Sequence, residues 1–171
     1  MKRPVFISIM CFFFMMFMSL GVWAQEPPVV SRDVRGNEHV VSEHILSATG
    51  TKIGEPLNRE QLQKDVEAIY ELGFFSFVDV DLAVVEGGVG VTYVVKENPV
   101  VDKIEFSGNT VYSDEDLLKL VFTAPGAVFN RVFFRHDLER IQEKYQKDGY
   151  VMTRIADVQI EGGIKVTLAR I

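Results

Sequence analysis

Cysteine is nearly absent: the 171-residue chain has one, Cys11, inside an N-terminal apolar run. If that run is removed on export, no thiol remains, which excludes disulfides, thiolate catalysis and cysteine-ligated metal. Histidine is equally sparse. His39 and His44 lie five residues apart with His136 far away, so a metal pair would lack a third ligand and the three read as solvated or capping side chains. Positive charge is in deficit, with 18 Lys and Arg against 24 Asp and Glu and a formal net charge of −6. An acidic surface argues against nucleic acid or anionic lipid held by bulk charge.

There is one long apolar segment, and it sits at the start. Lys2-Arg3 precede a Phe- and Met-rich run from Val5 to Leu20, followed by Gly21-Val22-Trp23-Ala24. This pattern is that of a secretory signal peptide over 1–24, with Val22 and Ala24 as the small residues at minus three and minus one and cleavage before Gln25. Cys11 lies too early to be a lipoprotein attachment site. The alternative is an uncleaved anchor, because the stretch from Val5 to Ala24 has the length of a membrane span.

The rest of the chain is one pattern written twice. Gly36-Asn37 recurs as Gly108-Asn109 72 residues later, and the same offset carries Ile45-Leu46 onto Leu117-Leu118, Gly54 onto Gly126 and Asn58-Arg59 onto Asn130-Arg131. A shared period over many landmarks signals repeated architecture. After the second helix the offset grows by four, matching Gly73-Phe74 to Gly149-Tyr150. Four residues are about one helical turn, so the insertion lengthens a helix and keeps its apolar stripe in phase. Glu86-Gly87-Gly88 then recurs as Glu161-Gly162-Gly163.

Each unit predicts strand, helix, helix, strand, strand. In the first, Val29 to Val34 form a strand and Gly36-Asn37 a positive-φ turn. A short helix capped by Ser42 buries Ile45 and Leu46. A second helix opens at Asn58, carries Leu62, Val66, Ile69 and Tyr70 on one stripe, and ends at a left-handed Gly73. Val78, Val80, Leu82 and Val84 alternate with Asp79, Asp81 and Ala83 as a strand with one wet face, and Val89, Val91, Tyr93 and Val95 return from the Glu86-Gly87-Gly88 turn. In the second unit Ser113-Asp114-Glu115-Asp116 is a candidate capping box, and the long helix runs from Asn130 through Leu138, Ile141 and Tyr145 to Gly149. The fold class is therefore α+β: two tandem β-α-α-β-β units over 25–98 and 99–171, each a three-stranded sheet covered by two helices.

The ordered elements resemble POTRA domains, the periplasmic units that precede the barrel in outer-membrane assembly proteins of the BamA and TamA type and in two-partner secretion transporters. The segments that carry the resemblance are Val95-Lys96-Glu97-Asn98-Pro99 leading into Ile104-Glu105-Phe106-Ser107-Gly108-Asn109, and the helix end from Asp65 to Phe75. The first unit departs at Arg32, where the second has Ile104, which suggests a frayed or partner-facing first strand. A third unit or a barrel would follow Ile171 in a longer relative. The resemblance implies unfolded outer-membrane clients and a barrel or assembly-complex subunit as partners, and a location in the periplasm at the outer membrane. An anchored division protein of the FtsQ type, and an arm that only spaces or docks other subunits, are the alternatives.

No residues propose themselves for catalysis or a cofactor. Asp79 and Asp81 share a wet strand face without a nucleophile or an apolar wall, the double glycines lack a following helix and lysine, Ser107 and Ser113 have no triad partners, and Arg131, Arg135 and His136 read as a solvated helix face. What remains is exposed backbone. An open three-stranded sheet has margins that accept an extended peptide as an extra strand. The resemblance places this at the second strand of each unit: Phe77, Val78, Asp79, Val80, Asp81 and Leu82, and Thr153, Arg154, Ile155, Ala156, Asp157 and Val158. Glu97, Asn98 and Pro99 form a short linker whose proline restricts motion between units.

Overall fold

The computed structural model describes residues 26–160 and 163–170. The expected signal peptide, Cys11 and the Glu161-Gly162 part of the expected second turn lie outside the described residues. Among the described residues no helix is long and apolar enough to cross a membrane.

The first unit runs β1 (Val29–Arg35), α1 (Ser42–Ser47), α2 (Arg59–Glu71), β2 (Phe75–Val85) and β3 (Gly88–Glu97). The second runs β4 (Ile104–Ser107), α3 (Asp114–Leu118), α4 (Arg131–Lys147), β5 (Thr153–Gln159) and β6 (Ile164–Arg170). The two sheets share one topology, β1-β3-β2 and β4-β6-β5, with the first pair parallel and the second antiparallel in each. The last strand of each unit is therefore central and buried, and the strand before it lies at a margin. Helix α2 has 13 residues and α4 has 17, so the four-residue insertion does lengthen the helix.

Local chemistry sets the element ends. Asn58 accepts a hydrogen bond from the Gln61 amide, and Asn130 from the amides of Val132 and Phe133, which satisfies first-turn donors that a helix leaves open. Gly73 and Gly149 close the same helices at φ of 85° and 90°. Inside the first unit, Ile45, Leu62, Ile69, Phe75, Val91 and Tyr93 form the core; Leu117, Phe134, Ile141, Tyr145 and Val166 do so in the second.

Four local expectations change. Ser42 is the first helical residue and not the cap: Val41 holds that place, while Ser42 Oγ takes a hydrogen bond from Asn37 Nδ2 at 3.1 Å. Asn37 and Asn109 are not positive-φ residues, since among the described residues only glycines adopt that region. Each asparagine instead ties its turn to the start of the short helix, donating to the carbonyl of Val40 or Tyr112. Tyr70 leaves the core stripe and is 45% exposed. Arg32 does not fray β1. Its guanidinium turns inward and donates to Thr49 Oγ1 at 2.9 Å and to the Thr51 carbonyl at 2.7 Å, which binds the loop after α1 to the strand.

Candidate functional site

Each sheet has two margins, and they are not equally open. Beside the start of β1 the chain folds back, with Val29 donating to the Glu55 carbonyl, Gly54 to the Val29 carbonyl and Leu57 to the Pro27 carbonyl. The other margin, β2, is 11 residues long. Glu86 and Gly87 form a two-residue turn that pairs Val85 with Gly88. In an antiparallel ladder, cross-strand bonding alternates along the strand. Asp79, Asp81, Ala83 and Val85 therefore bond inward to β3, and the backbone groups of Val78, Val80, Leu82 and Val84 point out of the sheet. The Val80 amide shows this directly: its hydrogen bond goes to the Asp79 side chain at 2.8 Å.

Side chains along β2 sort by the same alternation. Val78 and Val80 lie half-buried on the helix side, and the row continues beyond the helices to Leu82 and to Val84, which is 91% exposed. Phe77, Asp79, Asp81, Ala83 and Val85 occupy the outer face, where Asp81 is paired with Arg35 of β1 across the sheet. Strand β5 is shorter, seven residues, and its register shifts between Ile155 and Asp157. The extra residue, Ala156, breaks the row of outward backbone groups, and such a bulge blunts a margin.

A second constellation joins the units. The Asn98 side-chain amide donates to the carbonyls of Gly73 in the first unit and Phe129 in the second, both at 2.9 Å. Asn130 Nδ2 donates to the Leu72 carbonyl at 2.7 Å, and the Arg131 amide to the Gly73 carbonyl at 3.1 Å. The Arg131 guanidinium lies 3.6 Å from the centre of the Tyr70 ring and also donates to the Tyr70 carbonyl. Phe74 and Phe133 meet edge to face at 6.0 Å. Just before the joint, Glu97 accepts from the amides of Glu38, His39 and Val40 and pairs with the His39 ring. Burial raises the Glu97 carboxyl, but these donors outweigh it and hold its pKa below 4.5.

A family model described as "POTRA: Surface antigen variable number repeat" matches residues 29–98 and again 99–169. The chain belongs to the POTRA family. It is 30% identical over 124 residues to the "Outer membrane protein assembly factor BamA" of Nitratidesulfovibrio vulgaris strain Hildenborough, a match that covers 71% of this chain and 15% of that protein. Among solved structures it is similar to the N-terminal domain of Omp85 from Thermosynechococcus elongatus, with a TM-score of 0.71 at 24% identity over 82% of this chain and 61% of that one. It is also similar to POTRA1-3 of the periplasmic domain of Omp85 from Anabaena, with a TM-score of 0.62 at 26% identity over 84% and 62%. The chain thus spans only a small part of the BamA relative.

In this POTRA pair, Phe77 to Leu82 and Thr153 to Val158 fall on the marginal strands of two separate sheets, while Glu97, Asn98 and Pro99 fall at the joint. Among the described residues no group of three or more His, Cys, Asp or Glu could hold a metal ion. Sequence reading placed the linker but missed the contacts that brace it. Arg131 looked like part of a solvated cluster and Tyr70 like core, because their contact runs between units and no periodicity within one unit reports it. Asn98→Ala removes two hydrogen bonds, each contributing about 1 kcal/mol. We expect the two units of that variant to show separate rotational correlation times in 15N relaxation, where the parent shows one; coupled tumbling in the variant would leave the joint to Asn130, Arg131 and the proline.

Proposed function

We propose that this chain is a non-catalytic periplasmic module for outer-membrane protein assembly that takes up client or partner strands along β2, working beside an outer-membrane barrel or assembly complex. The open row of backbone groups at Val78, Val80, Leu82 and Val84 carries this reading. Main-chain hydrogen bonds are indifferent to sequence, and unfolded barrel precursors have alternating strands as their common property, so a bare strand margin suits them. The role of the BamA relative, an outer membrane protein assembly factor, supports the same direction. Export by the signal peptide brings the module to the periplasm.

Val80→Pro tests it. The Val80 amide faces outward and bonds the Asp79 side chain, so proline there deletes a marginal donor and leaves the ladder to β3 in place. Binding of an unfolded barrel precursor, measured by fluorescence anisotropy, should fall at least about tenfold, with the melting temperature within a few degrees of the parent. Unchanged binding with the fold intact would reject capture on β2. The hydrogen-bonded joint favours a second reading, a stiff arm that spaces or docks other subunits; in that case Asn98→Ala impairs assembly and Val80→Pro does not.

A further inference from the structure

If β2 takes up strands, its side chains decide which ones. The geometry points to a charge-patterned selection: β2 favours an extended peptide whose alternate residues are aliphatic and basic, and disfavours one whose alternate residues are aliphatic and acidic. This rests on the strand-capture reading and narrows its clients.

The alternation along β2 sorts the side chains of an incoming strand as well. A strand added at this margin places every second side chain beside Val80, Leu82 and Val84, an apolar row whose outer end no helix covers. The intervening side chains fall on the other face, beside Asp79 and Asp81. If the added strand runs antiparallel, the outward backbone groups of Val80 and Leu82 form the hydrogen-bonded pairs, and Asp79 and Asp81 stand in the non-hydrogen-bonded pairs, where side chains approach most closely. The nearby charges on that face are Asp33 and Arg35 on β1, Asp79 and Asp81 on β2, and Lys96 on β3 opposite Phe77. Arg35 is engaged by Asp81. Asp79 has no ion-pair partner among the described residues, and its carboxylate instead occupies the Val80 amide. An arriving strand needs that amide. Its carbonyl displaces the carboxylate, which is then free for a lysine or arginine beside it; an acidic residue there meets repulsion. The net charge of −6 on the chain adds long-range attraction for the same clients. Strand β5 offers no matching row, because its register shift at Ala156 interrupts the alternation.

The test uses the full chain and three blocked ten-residue peptides that alternate valine with lysine, glutamate or threonine. Affinity is read by titration calorimetry and location by amide exchange. An opposite-charge cross-strand pair contributes roughly 0.2–1 kcal/mol, so Asp79, the carboxylate that Arg35 does not hold, predicts about a 1.4- to fivefold preference for the lysine peptide, widened by repulsion of the glutamate one. The amides of Val78, Val80, Leu82 and Val84 should become protected. Asp79→Lys should invert the order and Asp79→Asn should flatten it, while Glu43→Lys, the same charge change on α1, should leave the order as it was. Equal affinities with β2 protected, or an order unmoved by Asp79→Lys, would overturn the charge selection and leave strand capture standing. Absence of β2 protection with all three peptides would remove strand capture itself, and this selection with it.

Discussion

Asp65→Ala should lose about 3–5 kcal/mol of folding stability, enough to unfold much of the first unit at ambient temperature. Asp65 projects from α2 into the core with 1% of its surface exposed. It is fully committed there. Its carboxylate accepts from the Gly50 amide at 2.6 Å, the Thr51 amide at 3.1 Å, Gln61 Nε2 at 2.8 Å and the Tyr93 hydroxyl at 2.6 Å. One side chain thus fastens the loop after α1, the long helix and the central strand to one another. Alanine leaves the buried Thr51 amide and Tyr93 hydroxyl without an acceptor, and the cost is mainly theirs, since water reaches the exposed Gly50. Urea denaturation followed by amide exchange should locate the loss in residues 29–98; a destabilisation under about 1 kcal/mol would show that water or a rearranged loop replaces the carboxylate.

The same group gives the first unit an acid limit. Burial raises the Asp65 carboxyl, but the hydrogen bonds from Thr51, Tyr93, Gln61 and Gly50 outweigh it and keep its pKa below 3.8. Burial and the Asp65 hydrogen bond push the Tyr93 phenol up to about 12, so it stays a donor at any physiological pH. A carboxyl lowered on folding contributes stability that is complete above its unfolded pKa and vanishes as pH falls through the folded one. Stability should therefore decline below about pH 4, and Asp65→Asn should flatten that decline. The slope left over belongs in part to Glu97, which is lowered in the same sense by its amide donors.

Asp65 also shows where sequence reading stopped. Its equivalent 72 residues on is Asp137, which is buried and accepts from the amides of Phe122 and Thr123 and from Thr123 Oγ1. The pair sat at the repeat offset, the one signal available, yet periodicity ranks apolar residues and passes over a buried acid. The hydroxyl that Tyr93 supplies in the first unit comes from Thr123 in the second, where the central strand has Val166 in the corresponding place. What could be read was what recurs with chemistry visible along the chain: caps at Asn58 and Asn130, left-handed glycines at Gly73 and Gly149, alternation in β2 and β3. Contacts far apart in sequence stayed hidden, Arg32 with Thr51 and Arg131 with Tyr70 among them. The alternation in β2 foretold a wet face but not that Leu82 and Val84 outrun the helices, because helix length does not say where a sheet ends.

The Gly-Asn repeat leads to the second large effect: Gly36→Ala and Gly108→Ala should each cost about 2–4 kcal/mol, confined to the unit that carries the change. A turn glycine needed only for positive φ costs about 1–2 kcal/mol when replaced. These two sit closer than that. Gly36 has a φ of 93°, and a methyl carbon on it would lie 2.1 Å from the Val95 carbonyl oxygen of β3; Gly108, at 77°, would place one 2.0 Å from the Leu168 carbonyl oxygen of β6. Both obstacles are backbone of the central strand, which cannot rotate away as a side chain would. To fit alanine, the end of β1 or β4 has to lift off its parallel partner. Gly54 and Gly126 provide the comparison, since they share the positive φ and have nothing within 4 Å of the added carbon. Alanine at Gly54 or Gly126 should cost about 1–2 kcal/mol, and the excess at Gly36 and Gly108 measures the close approach alone. Equal losses at all four positions in denaturant titrations would mean that conformation, and not contact with the central strand, fixes glycine in both copies of the motif.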